Sequence, residues 1–229
     1  MKKEMFRILV AVVLMLIVSK AAYATSVTLT ETGVKPGTGV SVTMPFVGTL
    51  NAQTGEYQLT ITNGGVYNGK YAGFCVDPAY SNPNVPTPYD LRAVAENSNY
   101  EAAAWLFSKK GSAVTGNYNA NIALLTQLAI WEIVIDGITG DVTSGNFKIN
   151  TNSYISGAQA LVDDTQANFN SASFDQSAFH LVVSPTEGNH YGVNFQDYMI
   201  YKPVPEPATM LLLGFGLIGL AGAKRKFQK

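Results

Sequence analysis

Two uncharged apolar stretches, Ile8 to Val18 and Ala208 to Ala223, lie towards the two ends of the 229-residue chain and limit where a water-soluble core can form. The first follows Lys2, Lys3 and Arg7 and precedes the small-x-small triplet Ala22-Tyr23-Ala24. A basic start, a short apolar run and a small-residue site, in that order, are the features of a secretory signal peptide. The run is too short for a comfortable permanent span, which needs roughly 20 apolar residues. Cleavage by signal peptidase after Ala24 is therefore expected, which removes residues 1–24. The second stretch is followed at once by Lys224, Arg225 and Lys226, a basic cluster that stays on the cytoplasmic side during export. It is slightly short for a lasting transmembrane helix and suits a transient anchor in the inner membrane. Residues 25–203 remain for one globular domain, long enough to bury a single sizeable core.

Val204-Pro205-Glu206-Pro207 stands just before the second stretch. Its prolines oppose helix and hold the chain extended, where a protease can reach it. Pro205-Glu206-Pro207, an apolar helix over 208–223 and the Arg-containing basic tail 224–229 together resemble the PEP-CTERM sorting signal. The resemblance implies that an exosortase cuts near the Pro-Glu-Pro motif and removes the tail, in a bacterium that has an outer membrane and makes exopolysaccharide. It implies a mature product in the cell envelope or secreted, and it addresses destination rather than task. The string Gly214-Phe215-Gly216-Leu217-Ile218-Gly219 has the spacing of a dinucleotide fingerprint. No strand precedes it, so it reads as small residues of a membrane helix.

Without its basic ends the chain is acidic. Residues 25–205 hold seven Lys/Arg and fourteen Asp/Glu, a net charge of −7, against −1 for the whole chain. Such a domain repels nucleic acid and anionic lipid, which excludes nucleic acid as a partner. Cys75 is the sole cysteine, so no disulfide closes within the chain, and it lies too far from the signal peptide to be a lipoprotein cysteine. A leftover cysteine in an exported chain stands out. His180 and His190 lack a cysteine or carboxylate at metal spacing, and Asp163-Asp164 is not followed by a calcium loop. No Gly-x-Ser-x-Gly elbow occurs. No metal and no cofactor are expected. Asp77, Asp90 and Glu96 are the candidates for a carboxylate pair that cleaves glycosides, with nothing to fix their separation.

Periodicity predicts an α+β domain, an antiparallel β-sandwich or barrel-like sheet with an inserted helical subdomain. Strands are expected at 27–30, 41–50, 56–62 and 70–76, the second and third forming a hairpin about a turn at Asn51–Gly55. Residues 78–97 read as a loop with a short helical turn at 91–95. Ser98 and Glu101 form a capping-box signature for a helix over 99–110 whose inward face carries Ala102, Trp105 and Leu106. Asn119 opens a second helix that ends before Gly137 and is apolar on most sides, so it is buried on most sides, with Gln127 among apolar neighbours. A third, amphipathic helix runs over 155–169. Segments 178–183 and 193–201 read as closing strands.

Gly73-Phe74-Cys75-Val76-Asp77 and Leu125-Thr126-Gln127-Leu128-Ala129-Ile130-Trp131-Glu132 resemble the two signature segments of bacterial thioester domains. That family sets a Cys after an aromatic residue near the end of an early strand, and a Gln on a later helix in a Thr-Gln-x-Ala-Ile-Trp context. The resemblance spans residues 40–200, with only the two short segments sharp. It implies a crosslink in which the sulfur of Cys75 takes the acyl group of Gln127 and expels ammonia, with Phe74, Thr126, Ile130 and Trp131 around the bond. A surface amine or hydroxyl could then attack it. No proline-rich stalk or repeat array follows the domain, as a surface adhesin of this kind usually has. Three readings stand: a surface-sorted protein that crosslinks once without turnover, and so is no enzyme; a non-covalent structural or exopolysaccharide-associated envelope protein; and a small extracellular hydrolase.

Overall fold

A computed structural model of the chain describes residues 25–45, 47–77, 85–184 and 195–203. The two terminal segments, with Ala24, Pro205, Glu206, Pro207 and the expected membrane helix, lie outside these residues, as does His190. Among the described residues no helix is long and apolar enough to cross a membrane.

Seven strands form one antiparallel sheet: β1 (Thr25–Met44), β2 (Gly48–Thr62), β3 (Gly69–Cys75), β4 (Thr87–Ala93), β5 (Lys148–Ile149), β6 (Phe179–Val183) and β7 (Tyr198–Tyr201). The pairings β1–β2, β2–β3, β3–β7, β7–β6, β6–β4 and β4–β1 run in a ring, so six strands close on one another, and β5 adds to the far part of β1. Closure removes the open edges that invite aggregation. Paired residues share a face. Val27, Leu29, Leu59, Ile61, Tyr57, Cys75, Tyr89, Leu91, Val182 and Tyr198 thereby face the inside of the ring, and all are buried.

The expected hairpin is present with a different turn. Asn51–Gly55 is strand, and the chain reverses at Pro45–Val47 instead, where Pro45 cannot donate to a ladder and Gly48 takes φ +79°. The run from 27 to 44 is one long strand rather than two short ones, because two register shifts, at Glu31/Gly33 and Pro36/Thr38, absorb the irregular middle without ending the pairing. Gly55, opposite Pro36, leaves no room for a side chain. Its φ is +142°, and a Cβ there would lie 2.2 Å from the Lys35 carbonyl oxygen. Leu91 belongs to β4 rather than to a helical turn, since its side chain completes the inner face opposite Val182. The tight turn comes later, at Val94–Glu96.

Four helices follow β4: α1 (Ser98–Lys110), α2 (Ser112–Thr115), α3 (Ala120–Asp136) and α4 (Asn152–Asn168). The cap of α1 is Asn97, whose side chain accepts from the Asn99 N–H. Ser98 is already helical, and the Glu101 carboxylate accepts from Ser171 instead of closing a capping box. Ala102 and Leu106 point inward as expected, joined by Ala103 and Phe107, while Trp105 is only half-buried under Lys109. Phe107 meets Phe74 and Phe179 edge-on at 4.9 and 5.5 Å, which seats α1 on the outside of the ring over β3 and β6. The third helix begins at the expected cap, Asn119, and stops at Gly137 with φ +89°. It buries every residue from Ala123 to Ile133, packing against β1, β2, β3, α1 and α4. The closing strands are shorter than expected: β7 begins only at Tyr198.

Candidate functional site

The pairing of β3 with β2 stops at Tyr57↔Gly73, while its pairing with β7 continues to Cys75↔Tyr198. Backbone polar groups two residues apart on a strand point the same way. The N–H and C=O of Cys75 therefore face the side that β2 has left, buried, where an unmet hydrogen bond is costly. The side chain of Gln127 takes the place of the departed strand. Its Oε1 accepts from the Cys75 N–H at 2.9 Å, and its Nε2 donates to the Cys75 carbonyl at 2.7 Å. Residues 52 apart in sequence are thus locked together, and both are 0% exposed. The double bond also fixes the orientation of the carboxamide, since reversing it would oppose donor to donor and acceptor to acceptor.

The Cys75 side chain turns into the ring beside Tyr57 and Tyr198, whose rings are 5.3 Å apart, and near Tyr89. Phe74, one residue earlier, turns to the opposite face against Phe107 and covers the strand from the helix side. Thr126, Ile130 and Trp131 are buried around Gln127 on α3. The Thr126 hydroxyl and the Trp131 indole N–H have no partner in full hydrogen-bonding geometry.

Burial pushes the Cys75 thiol well above its ordinary value. The Trp131 indole N–H acts against that rise, the Asp77 charge adds to it, the Asp77 backbone N–H opposes it, and Asp197 adds again. The thiol is thus protonated at rest. Burial also raises Tyr57 and Tyr198, and the nearby cysteine is the next contributor in each case.

Sequence reasoning missed Asp197 and the tyrosines. The Asp197 carbonyl accepts from the Val76 N–H at 2.8 Å, and its carboxylate accepts from the Ser184 N–H at 2.7 Å. Burial raises this carboxyl to about 6, against the Ser184 N–H and with the help of Asp77. Tyr198 donates its hydroxyl to Glu31, and Tyr89 to the Gln196 carbonyl. No local signal marks these residues, because ring closure by β7 is what gathers them.

The remaining sequence candidates fall elsewhere. Asp90 lies in β4 opposite Val183 and Ser26, and Glu96 ends the turn after β4. His180 is half-buried in β6 and stacks edge-on against Tyr67 at 5.0 Å. Asp163 accepts from Gln159 and Asp164 from Asn168, on the solvent face of α4. Among the described residues no three His, Cys, Asp or Glu side chains are grouped to hold a metal.

No curated protein and no solved structure matches the chain. Residues 203–226 match the model of the PEP-CTERM protein-sorting motif. That match begins where the described domain ends, and it marks the chain as an exported protein, sorted by an exosortase to the cell envelope or to the outside of the cell.

Proposed function

We propose that the exported domain forms an internal Cys75–Gln127 thioester and uses it for one covalent attachment to a surface nucleophile. The observation that carries this reading is the double hydrogen bond between the Gln127 carboxamide and the Cys75 backbone. It holds the acyl group beside the residue that would attack it, and enforced proximity replaces an encounter in solution. In the reaction the bond from Cys75 Sγ to Gln127 Cδ forms and the Cδ–Nε2 bond breaks. The thiol proton leaves on the nitrogen as ammonia. Negative charge gathers transiently on Oε1, where the Cys75 N–H already donates, at a distance suited to an oxyanion hole. The enclosing side chains keep water from the product. The target is an amine or hydroxyl of extracellular material, and exopolysaccharide is one such source of hydroxyls.

The same two hydrogen bonds favour a second reading, a non-covalent envelope protein. Gln127 satisfies both polar groups of Cys75 as it stands, and the strand end needs no chemistry to be stable. Intact mass separates the two. A thioester lowers the mass of the processed chain by about 17 Da, one ammonia, and methylamine reverses that loss while adding a methyl group. Cys75→Ala abolishes both changes. Full encoded mass with a titratable thiol sinks the thioester reading.

A further inference from the structure

A cavity of about 290 Å³ opens where β1, β2 and β3 run side by side, lined by Thr32, Gln58, Leu59, Thr60, Lys70 and Tyr71. That volume is at the lower end for ligand pockets and gives room for one small molecule. Leu59 points into the ring, so its neighbours Gln58 and Thr60 point out of it, roughly 7 Å apart along β2. Lys70 is the ladder partner of Thr60, and their side chains stand next to each other on that outer face. The cavity lies at the register shift between Glu31 and Gly33, where Thr32 is the extra residue of β1. A bulge re-aims such a side chain, and the Thr32 hydroxyl here donates to the Gln58 carbonyl at 3.0 Å. The inward-facing Leu59 and its ladder partner Tyr71 complete the lining.

Four polar groups of this cavity have hydrogen-bonding capacity left over. The Gln58 carboxamide, the Thr60 hydroxyl and the Lys70 ammonium have no protein partner among the described residues. Thr32 already uses its hydrogen on the Gln58 carbonyl, so towards a ligand its oxygen can only accept. A ligand that answers all four must donate to Thr32, accept from Lys70, and do either at Gln58 and Thr60. An inorganic anion such as sulfate answers the ammonium and brings no donor. A neutral sugar leaves the charge unpaired, and an apolar molecule answers none of the four. Several hydroxyls and one carboxylate on a rigid ring answer them all. We infer that the cavity binds an acidic sugar, one uronate unit with its carboxylate on Lys70 and its hydroxyls on Thr32, Gln58 and Thr60. Binding is reversible and forms no covalent bond. None of the six lining residues belongs to the Cys75–Gln127 contact, so the site does not depend on the thioester.

The test titrates the processed chain with sodium D-galacturonate and with its trimer, followed by the backbone amide and Gln58 side-chain resonances in NMR spectra. Maltotriose supplies hydroxyls without the acid, and sodium sulfate supplies charge without the hydroxyls. Saturable shifts at Thr32, Gln58, Thr60 and Lys70 are expected with the galacturonates, at concentrations where the two controls give none. Lys70→Met keeps most of the stem and removes the charge, and it should weaken binding about tenfold or more. Thr60→Val keeps the shape and removes one hydroxyl, and it should weaken binding about threefold or more. Both positions face outward, so the thermal midpoint should stay in place and show that lost binding is not a lost fold. Absence of shifts at these residues, an equal response to sulfate or to maltotriose, or unchanged binding by Lys70→Met overturns the inference. Intact mass is read in parallel. It decides the thioester and does not respond to reversible binding, so the two readings fail separately.

Discussion

Gln127 does at a single residue what a strand does elsewhere in the sheet, and that makes its substitution informative whichever functional reading holds. Gln127→Met keeps the volume but strands the N–H and C=O of Cys75 in a buried place. Each orphaned group costs about 1–3 kcal/mol, so urea unfolding should show a loss of about 2–4 kcal/mol, the two effects overlapping. Gln127→Glu behaves differently, because a protonated carboxyl can still accept from the Cys75 N–H and donate to its carbonyl. An ionised one cannot donate. The folded state therefore raises the pKa of this new acid above its unfolded value. Stability is full in acid and falls as pH rises past the unfolded carboxylate value, by about 2–4 kcal/mol at pH 7. A Gln127→Glu chain with flat stability from pH 4 to 7 would show that the carboxamide is not clamped as described. The two sharp residues, Cys75 and Gln127, were legible in the sequence only as a resemblance between two short segments. Nothing local ties positions 52 apart, and the contact depends on where β2 leaves β3.

Among the elements, α3 was the most legible and the β1–β2 hairpin the least. Asn119 and Gly137 mark the ends of α3 by local chemistry that the fold does not override. In β1 the stretch from Glu31 to Gly39 breaks the alternation with two bulges, Pro36 and three glycines, so its pairing is fixed by β2 rather than by its own pattern. Gly55→Ala should accordingly cost about 2 kcal/mol or more, through a positive φ and a backbone clash, with the loss read by thermal unfolding. The third helix also carries a liability. Glu132 is fully buried under the loop after α3, neither carboxyl oxygen has a partner, and a Cβ on Gly140 would lie 1.9 Å from Oε1. Burial raises its pKa to about 8, helped by the like charges of Asp136 and Asp141. A raised carboxyl binds its proton more tightly in the folded state. It therefore withdraws stability as pH climbs from the ordinary carboxylate value of 4.5 to about 8, and no further above that. Asp197 adds the same sign between 3.8 and about 6. Thermal midpoints should thus fall from mildly acid to mildly alkaline pH. Glu132→Met should flatten the upper part of that slope and stabilise the domain by about 1–3 kcal/mol at neutral pH.

At the scale of the molecule, the α+β class with an antiparallel sheet followed from the order of strands and helices, but the choice between a sandwich and a closed ring, and the identity of the ring's neighbours, did not. Tyr198 reaches Cys75, and Thr25 reaches Leu91, only because distant segments pair, and pairing across such separations leaves no mark in either segment alone. The ring also separates folding from sorting. Its last strand ends at Tyr201, and Lys202 closes the domain through its N–H to the Ala178 carbonyl and its ammonium over the Tyr67 ring at 4.4 Å. The sorting motif begins at residue 203, after the final ladder contact. Deleting 204–229 should therefore leave the thermal midpoint of the exported domain within about 2 °C of the longer chain's, since every described core residue is kept. Deleting 198–229 instead removes β7, uncovers the Tyr57 and Cys75 face of the ring and opens β3 and β6 to solvent. That chain should fail to fold cooperatively in thermal unfolding followed by near-ultraviolet circular dichroism. If both truncations behaved alike, the boundary between the fold and its address would lie somewhere other than Pro203.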